Sequence, residues 1–346
     1  MENNVHTFQL NINWSLLSLI SSIDRFDATW STIERQEGLT LKQLKTIATV
    51  KSVGASTRIE GSKMSNKEVA ALLENMDSTK IEDSDSQEVI GYYNTLELIS
   101  ESHSEIRINE SSIKNLHNIL MKYNEKDSWR RGNYKQHSNA VEATHQDGTK
   151  QIIFQTTDAG FSTEDAMKNL VEWYKSDKQT HPLVKGALFA YDFISIHPFQ
   201  DGNGRLSRLI SSLLLLKNGY KWIEYVSFEH EIESRKIEYY RVLQNCQANR
   251  PNENVDEWIS FFFDCLKNIQ LKLSKKLETK GVKANLTPKE KSIVSFIENY
   301  PSCQSGDIAK KLGIPSPTVK RILPKLKELN LIEKYGIGSG TNYTIK

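Results

Sequence analysis

The sequence predicts a mainly α-helical protein: a large helical body with one β-hairpin, followed by a small basic C-terminal domain. Three observations indicate this. Apolar residues recur at helical spacing over much of the chain, one turn dipeptide is flanked by strand-like segments, and the charge balance changes near the C-terminus. The length of 346 residues corresponds to about two domains.

The composition is that of an ordinary globular protein, with 38% hydrophobic and 25% charged residues. It excludes disordered, collagen-like and coiled-coil chains. The longest aliphatic run, Leu213–Leu216, is far shorter than the roughly 20 residues of a membrane span, and no signal peptide is visible. Cys246, Cys265 and Cys303 are widely spaced, so they predict neither a disulfide framework nor a metal pair. We expect a cytoplasmic protein with no membrane partner.

The charge changes sign along the chain. Residues 283–346 contain 11 basic and 5 acidic residues, a net charge of +6, whereas the remainder has a net charge of −4. The change falls near the polar stretch 275–290, which we interpret as a linker. We therefore predict an N-terminal helical region over residues 1–90, a core over residues 91–275 and a C-terminal domain over residues 283–346.

Apolar residues at helical spacing predict several helices of the body. They are Leu41, Leu44 and Ala48; Leu72, Leu73 and Met76; and Leu206, Leu209, Ile210, Leu213 and Leu214. Pro182 is expected to open a further helix, because proline is tolerated at the first helical position. Gly219 is expected near the end of the last helix of this group.

A β-hairpin is predicted in the middle of the chain. The segments NAVEATHQ and TKQIIFQT flank Asp147-Gly148, and this dipeptide is a strong hairpin turn signal. The hairpin should protrude from the helical body.

The segment His197–Arg208, HPFQDGNGRLSR, has the composition of an anion site. Gly202 and Gly204 let the backbone turn its N–H groups inward at the start of a helix. Arg205 and Arg208 are three residues apart and share a face, although the helix dipole disfavours each cation there by about 0.3–1 kcal/mol. Two arginines beside this turn predict a bound polyanion, such as the phosphate chain of a nucleotide.

Two further residues of this segment carry reactive groups. Asp201 offers a hard oxygen ligand for Mg²⁺ close to those phosphates, although taken alone it is more typical of a helix N-cap. His197 is the only group of the segment that titrates near neutral pH, so it is a candidate base for an incoming hydroxyl.

The segment resembles the signature of the Fic family, H-x-F-x-[DE]-G-N-G-R-x-x-R, at every fixed position. The resemblance extends back through Trp129–Gly132 and forward to Ile237–Leu243, so it covers roughly residues 90–250. It implies a Fic-type helical catalytic core with the hairpin as a flap. It also implies transfer of AMP from ATP to a Ser, Thr or Tyr hydroxyl of a protein, with release of pyrophosphate.

The resemblance assigns roles to individual residues. His197 would deprotonate the target hydroxyl, and Asp201 would hold Mg²⁺ between the α- and β-phosphates. The phosphates, from α to γ, would be bound by Gly202, Asn203, Gly204, Arg205 and Arg208.

The hairpin and a pair of tyrosines can each be interpreted as functional or as purely structural. The hairpin resembles the flap that pins the target segment by strand addition, and a surface hairpin without a role is the less favoured alternative. Tyr239 and Tyr240 resemble the lining of the adenine pocket, and Tyr240 is our candidate nucleotide contact. Adjacent aromatic residues are equally typical of a core.

A second motif lies upstream. Ser56 and Glu60 are four residues apart and would share a helix face, and Gly61 is expected to stop that helix. The string STRIEG resembles the family's inhibitory motif, [ST]-x-x-x-E-[GN]. The resemblance implies that Glu60 pairs with Arg208, takes the place of the γ-phosphate and holds ATP in an unproductive pose. We therefore expect an autoinhibited enzyme, and modification of its own chain is left open.

Residues 286–346 resemble a winged helix-turn-helix. Ser316 is expected to cap the presumed recognition helix, with Pro317 at its first position. Its basic side chains are Lys320, Arg321, Lys325 and Lys327, as phosphate contact would require. Pro324 lies inside this helix, where it removes a hydrogen bond and tends to kink it. A protein-contact or dimerisation role is therefore favoured over DNA binding.

Two other functions fit the sequence. The segment around His197 fixes an anion site but neither the base nor the leaving group, so transfer of UMP, phosphate or phosphocholine is an alternative. A DNA-binding regulator whose Fic domain only senses nucleotide would explain the basic tail, but it would not need His197. The expected partners are ATP with Mg²⁺ and a protein substrate with a hydroxyl side chain; a homodimer is left open.

Overall fold

The computed structural model describes residues 2–5, 8–36, 38–76, 83–144, 150–284, 286–336 and 338–346. Over these residues the protein has fourteen α-helices and three two-stranded antiparallel sheets. It divides into two compact units, Met1–Gln270 and Leu271–Lys346. The mainly α fold class predicted from the sequence is confirmed. None of the described helices combines the length and the apolar character needed to cross a membrane.

The first unit begins with strands β1 (Glu2–Val5) and β2 (Phe8–Asn11). The helices before the central hairpin are α1 (Trp14–Gln36), α2 (Gly38–Ile59), α3 (Asn66–Glu74), α4 (Ser84–Ser102) and α5 (Glu110–Leu120). The hairpin consists of β3 (Ala140–Thr144) and β4 (Lys150–Gln155). The helices after it are α6 (Phe161–Ser176), α7 (Pro182–Ile196), α8 (Asn203–Lys217), α9 (Phe228–Ser234), α10 (Lys236–Gln247) and α11 (Asp256–Ala284). Short 3₁₀ turns lie at Glu125–Arg130 and Lys221–Tyr225.

Helices α7 and α8 pack against each other and form the centre of the first unit. Nearly every residue of both is buried, as expected for helices that are surrounded on all sides. Helix α7 begins at Pro182, as predicted, and α8 ends at Lys217, shortly before Gly219. The segment between them is therefore held at both ends by buried helices.

Helix α2 packs against α4, α9 and the 3₁₀ turn Lys221–Tyr225. The predicted apolar positions Leu41, Leu44 and Ala48 are buried in this packing. The helix ends at Ile59, and Gly61 follows with a φ of 115°. The predicted stop at this glycine is confirmed.

The central hairpin is formed by antiparallel β3 and β4, with a bulge between Val141 and Glu142. The predicted turn at Asp147-Gly148 lies outside the described residues. A second hairpin, β1–β2, was not predicted, because four-residue strands are too short for an alternating pattern to stand out. Its strand β2 is held by main-chain bonds from Gln9 N–H to the Glu253 carbonyl (2.9 Å) and from Val255 N–H to the Gln9 carbonyl (3.0 Å).

The interpretation of residues 275–290 as a linker is wrong over most of its length. Helix α11 continues through this stretch to Ala284, and the next helix begins at Pro288. Lysine, leucine and glutamate are good helix formers. The polar composition therefore did not interrupt the helix.

The second unit begins with the part of α11 from Leu271 onward. It continues with α12 (Pro288–Asn299), α13 (Ser305–Leu312), α14 (Ser316–Glu328), β5 (Ile332–Tyr335), a 3₁₀ turn (Gly338–Gly340) and β6 (Asn342–Ile345). This order is that of a winged helix-turn-helix, and its apolar core includes Ile293, Ile308, Val319 and Leu326. Ser316 is itself helical and the cap position is Pro315, so the predicted cap is wrong by one residue. The cap uses no side-chain hydrogen bond; the Thr318 N–H donates to the Pro315 carbonyl instead (2.8 Å).

Three buried cysteines, Cys246, Cys265 and Cys303, are free thiols, as predicted. Burial raises the pKa of the Cys246 thiol to about 11, so it is protonated at neutral pH.

Candidate functional site

His197 lies directly after α7 in an unusual backbone conformation. Its φ and ψ are 54° and 59°, and its N–H closes the helix on the Phe193 carbonyl (3.0 Å). Side chains other than glycine enter this left-handed region at a cost of about 1–2 kcal/mol. Strained positions of this kind concentrate at functional sites.

The surroundings of His197 fix its tautomer and its charge. Nδ1 lies 3.3 Å from the Ile194 carbonyl oxygen. Because a carbonyl only accepts, Nδ1 carries the proton and Nε2 keeps its lone pair. Burial, together with the nearby Lys135 ammonium, lowers the pKa of His197 to about 4. The imidazole is therefore neutral at pH 7 and able to accept a proton at Nε2.

The turn after His197 is closed by the side chain of Asn203. Its Oδ1 accepts from the Phe199 N–H and its Nδ2 donates to the Phe199 carbonyl, both at 2.8 Å. Gly202 has a φ of 78°, whereas Gly204 is already helical. The positive φ of this turn is therefore at Gly202 and not at Gly204. The Asn203 side chain is engaged within the turn, so only its main-chain N–H is available to a phosphate.

Arg208 is buried and contacts both residues of the upstream motif. Its Nη2 donates to Glu60 Oε1 (2.7 Å) and to the Ser56 carbonyl (3.0 Å), and its Nε donates to Ser56 Oγ (2.9 Å). Glu60 follows the last residue of α2, and Ser56 is fully buried within that helix. The structure thus brings together the two motifs, which are 148 residues apart.

Arg205 is buried between two carboxylates. Its Nη2 contacts Asp201 at 3.1 and 3.2 Å, and its Nη1 contacts Glu88 of α4 at 3.1 Å. Burial raises the pKa of Glu88, and Arg205 opposes this. Burial also raises the pKa of Asp201. Arg205 and the Gly202 N–H lower this pKa by more, so it lies below its usual value. Asp201 does not cap α8, since its side chain bonds to Arg205 and to Gly202 N–H (2.5 Å).

Both arginines keep unused donors. Within the described part of the chain, Arg205 Nε and Arg208 Nη1 are buried and have no hydrogen-bond partner. An unsatisfied buried donor costs about 1–3 kcal/mol. A bound anion would accept from these two N–H groups and remove this cost, so they favour anion binding.

Gly204 lets Glu60 approach the turn. A Cβ at this position would lie 2.2 Å from Glu60 Oε1 and 3.3 Å from Arg208 Nη1. No side chain fits there while Glu60 is in place. Gly204 is needed for close approach rather than for backbone freedom.

A cavity of about 60 Å³ opens beside these groups. Its lining residues are Glu60, Ile194, His197, Gly204, Arg208, Tyr239, Tyr240, Leu243 and Gln247. It is smaller than the 300–1,000 Å³ usual for ligand sites. Glu60 forms part of its wall.

The two tyrosines of α10 play different parts. Tyr239 is 3% exposed and packs against Trp258 and Phe261, so it belongs to the core, although it also lines the cavity. Tyr240 is half-buried and lines the cavity. The core alternative therefore describes Tyr239, and Tyr240 remains the candidate nucleotide contact.

Four residues near the site were not found from the sequence: Glu88, His117, Lys135 and Gln247. His117 stacks on Phe199 (3.8 Å, 5°), accepts from the Gly132 N–H at Nδ1 (2.9 Å) and contacts the Asp201 carbonyl through Nε2 (3.0 Å). Gln247 donates to Ser195 Oγ (2.7 Å) beside the cavity. All four are lone polar residues in helices or loops, so no sequence pattern marked them.

Replacing Gly204 by alanine tests the contact with Glu60. In the wild-type background the new methyl group overlaps the Glu60 carboxylate, and we expect a loss of about 1–3 kcal/mol in the free energy of unfolding. In a Glu60→Gly background the clash is absent, and alanine in a helix should instead add up to about 1 kcal/mol. Urea unfolding of the four proteins measures this; equal effects in both backgrounds would contradict the contact.

The titration of His197 tests its environment. We expect half-protonation near pH 4 in the folded protein, and near 6.5 in the same chain unfolded in urea. Since the folded pKa is the lower one, protonation of His197 destabilises the fold as pH falls from 6.5 to 4. Proton NMR of the ring, assigned with a His197→Asn variant, measures both values. A folded-state value near 6.5 would show that the ring is solvated.

The fold and the site define a class of protein: a helical domain with a glycine-containing turn between two buried helices, two buried arginines and a neutral imidazole beside it. A sequence model of the Fic/DOC family matches residues 107–215. Another model, of winged helix-turn-helix DNA-binding domains, matches residues 286–333. The chain thus carries a Fic domain over residues 107–215, followed by a winged helix-turn-helix domain.

Known proteins agree with this assignment. The protein adenylyltransferase Fic of Drosophila mojavensis is 30% identical over 101 residues, which are 29% of this chain and 18% of that protein. A Fic family protein from Desulfovibrio desulfuricans G20 has a similar fold, with a TM-score of 0.64, 21% identity and 97% of both chains covered. A Fic domain containing signaling protein from Bacteroides thetaiotaomicron gives a TM-score of 0.60, 24% identity and coverage of 74% and 96%. At these identities the two crystal structures show the fold alone.

Proposed function

We propose that this protein is an autoinhibited adenylyltransferase that moves AMP from ATP to a Ser, Thr or Tyr hydroxyl of a protein, its own chain included. One observation carries the proposal: His197, Gly204 and Arg208 line the same cavity. A neutral imidazole stands there beside an anion-binding turn. A domain that only sensed nucleotide would need the turn but not the base.

The chain's own groups supply what the reaction requires. The target hydroxyl oxygen bonds to the α-phosphorus, the bond to the oxygen bridging the α- and β-phosphates breaks, and pyrophosphate leaves. Nε2 of His197 accepts the hydroxyl proton. First-turn N–H groups of a helix have no partner within the helix, so those of Asn203 and Gly204 can stabilise charge on the α-phosphate. The two arginines of α8 bind the β- and γ-phosphates.

Mg²⁺ fits the acidic side of this site. The Asp201 side chain is 52% exposed, and its lowered pKa keeps it ionised at neutral pH. Proteins commonly hold Mg²⁺ through one or two carboxylates together with substrate phosphates. Asp201 would hold the ion, which would neutralise phosphate charge when bound.

The contact between Glu60 and Arg208 supports autoinhibition. The carboxylate takes up a guanidinium N–H that the γ-phosphate would otherwise use, at a distance of 2.7 Å. It also forms part of the cavity wall and lies against Gly204. The γ-phosphate of a fully extended ATP would need the Arg208 N–H that Glu60 now accepts. The two groups would therefore compete for this donor.

Identification of the transferred group tests the proposal. A Glu60→Gly variant is incubated in a cell extract with ATP labelled either at the α- or at the γ-phosphate, beside a Glu60→Gly/His197→Ala control. We expect the α-label alone on discrete protein bands that are absent with the control. Transfer of the γ-label, or labelling from UTP or a phosphocholine donor in place of ATP, would point to the rival reactions. No label on any protein would overturn the proposal.

DNA binding by the C-terminal domain is a second candidate. It is supported by three basic side chains that are exposed on α14: Lys320, Arg321 and Lys327. Lys325 of the same helix is paired with Glu290 (2.7 Å). Each phosphate contact changes the slope of log K against log salt by about 0.9. If the domain binds DNA, a Lys320→Ala variant of the whole chain binds duplex DNA with a salt slope lower by about one. Equal binding of the two chains at every salt concentration would reject DNA contact through this helix.

A further inference from the structure

A buried ammonium lies at the base of the central hairpin. Lys135 is 2% exposed, and its Nζ contacts Thr156 Oγ1 (2.8 Å), Asn139 Oδ1 (3.1 Å) and the Ile196 carbonyl (3.1 Å). An ammonium has three donors. All three are therefore used, each on a different part of the chain.

The three acceptors mark the ends of elements that belong to the site. Asn139 directly precedes β3, and Thr156 directly follows β4. Ile196 is the last residue of α7 and directly precedes His197. One charged group thus joins both strands of the hairpin to the residue before the imidazole.

Further hydrogen bonds extend this connection past His197. The Lys135 N–H donates to the Pro198 carbonyl (2.8 Å), and Asn139 Nδ2 donates to the Phe199 carbonyl (3.2 Å). Thr156 Oγ1 lies 2.7 Å from the Asn139 carbonyl. The base of the hairpin is consequently fixed to main-chain atoms on both sides of the imidazole.

A stabilising role alone does not explain a lysine here. Within the described part of the chain, no carboxylate lies within ion-pair distance of Lys135. Burial lowers its pKa to about 8, and the more distant Asp158 only partly opposes this. Lysine is almost never fully buried unless it is paired with an opposite charge. An apolar residue of similar length would fill the space without the desolvation penalty of an ammonium. An apolar residue could not make the three hydrogen bonds of the ammonium. These bonds connect the hairpin to the residue before His197.

We propose that Lys135 is a positioning residue, which sets the hairpin at a fixed distance from His197 so that a target segment added to the hairpin presents its hydroxyl to the imidazole. This inference rests on the proposed AMP transfer. It commits the target to an extended segment paired with a hairpin strand, since strand addition is the mode in which the position of a hairpin fixes the register of a bound peptide.

The test compares variants in the Glu60→Gly background. Lys135→Met removes the charge and keeps the length, Lys135→Arg restores a charged donor, and Lys168→Met changes an exposed lysine of α6 as the matched control. Thr156→Val removes one acceptor at nearly constant volume and replaces Lys135→Met if that variant does not fold. Each protein is measured for hydrogen exchange of the strand amides, for the KM of Mg-ATP and for the kcat of label transfer in a cell extract.

We expect Lys135→Met to lower strand protection and kcat by about tenfold or more each, as the loss of one charge-assisted contact implies. The KM for ATP should stay within about twofold, since no phosphate contact changes. Lys135→Arg should recover a large part of both losses, and Lys168→Met should match the parent.

Two results would overturn the inference: unchanged strand protection in Lys135→Met, or lost protection with unchanged kcat. Failure of the proposed function looks different. If the Glu60→Gly parent transfers no AMP although it is folded and binds Mg-ATP, the function is rejected. Hydrogen exchange in Lys135→Met then still decides whether this lysine fixes the hairpin.

Discussion

Replacing Glu60 by glycine should raise the rate of AMP transfer about ten- to a hundredfold at saturating Mg-ATP. The reason is the charge-assisted bond to Arg208 (2.7 Å), since such bonds are worth about 1.5–3 kcal/mol. The arginine itself stays oriented in the variant, because Ser56 still accepts from its Nε and Nη2. Initial rates of incorporation of α-labelled AMP give the measurement.

Two further variants separate charge from shape. Glu60→Gln keeps the size of the side chain and removes its charge, so its rate should lie between those of wild type and Glu60→Gly. Glu105→Gly, at an exposed position after α4, should behave as wild type. A Glu60→Gly protein that folds, binds Mg-ATP and transfers AMP no faster than wild type would contradict autoinhibition by this contact.

Loss of the His197 imidazole should lower transfer in the Glu60→Gly background by about 10²–10⁴-fold, the range usual for a general base. The affinity for Mg-ATP should change little, because in the proposed complex the phosphates contact the arginines and the start of α8 rather than His197. His197→Ala also places alanine at a φ of 54°, which costs about 1–2 kcal/mol. His197→Asn is therefore the cleaner variant, since asparagine tolerates this conformation.

The measurement is single-turnover transfer together with equilibrium binding of Mg-ATP. His137→Asn, at an exposed position ahead of β3, serves as the matched control and should leave both unchanged. Retention of more than about a tenth of the parent rate in His197→Asn would show that another group or water takes the proton.

The sequence predicted the parts of the fold that depend on local signals. Pro182 at the start of α7, the apolar stripe of α8 and the Asp147-Gly148 dipeptide each belong to one short stretch, so periodicity and turn chemistry were sufficient for two helices and the paired strands. The polar stretch ending near Ala284 misled us, because composition alone does not separate an exposed helix from a linker.

The site was predictable where its residues are consecutive. His197, Asp201 and the two arginines stand in one segment whose composition suggests an anion. Glu60 was found only because its own short string resembles a family motif. Glu88 and Lys135 carry no such string, and they reach the site through packing of α4 and of the hairpin base. Contacts of this long-range kind follow from the fold rather than from local sequence.

The burial of α2 limits how a regulator can act on the proposed enzyme. Ser56, Thr57 and Ile59 are at most 2% exposed, and Arg58 holds Glu233 of α9 through two hydrogen bonds of 2.6 and 3.0 Å. A partner that pulled this helix away would have to unfold the centre of the first unit. For the proposed enzyme, activation would instead need only the Glu60 carboxylate to rotate about its side-chain bonds and release Arg208.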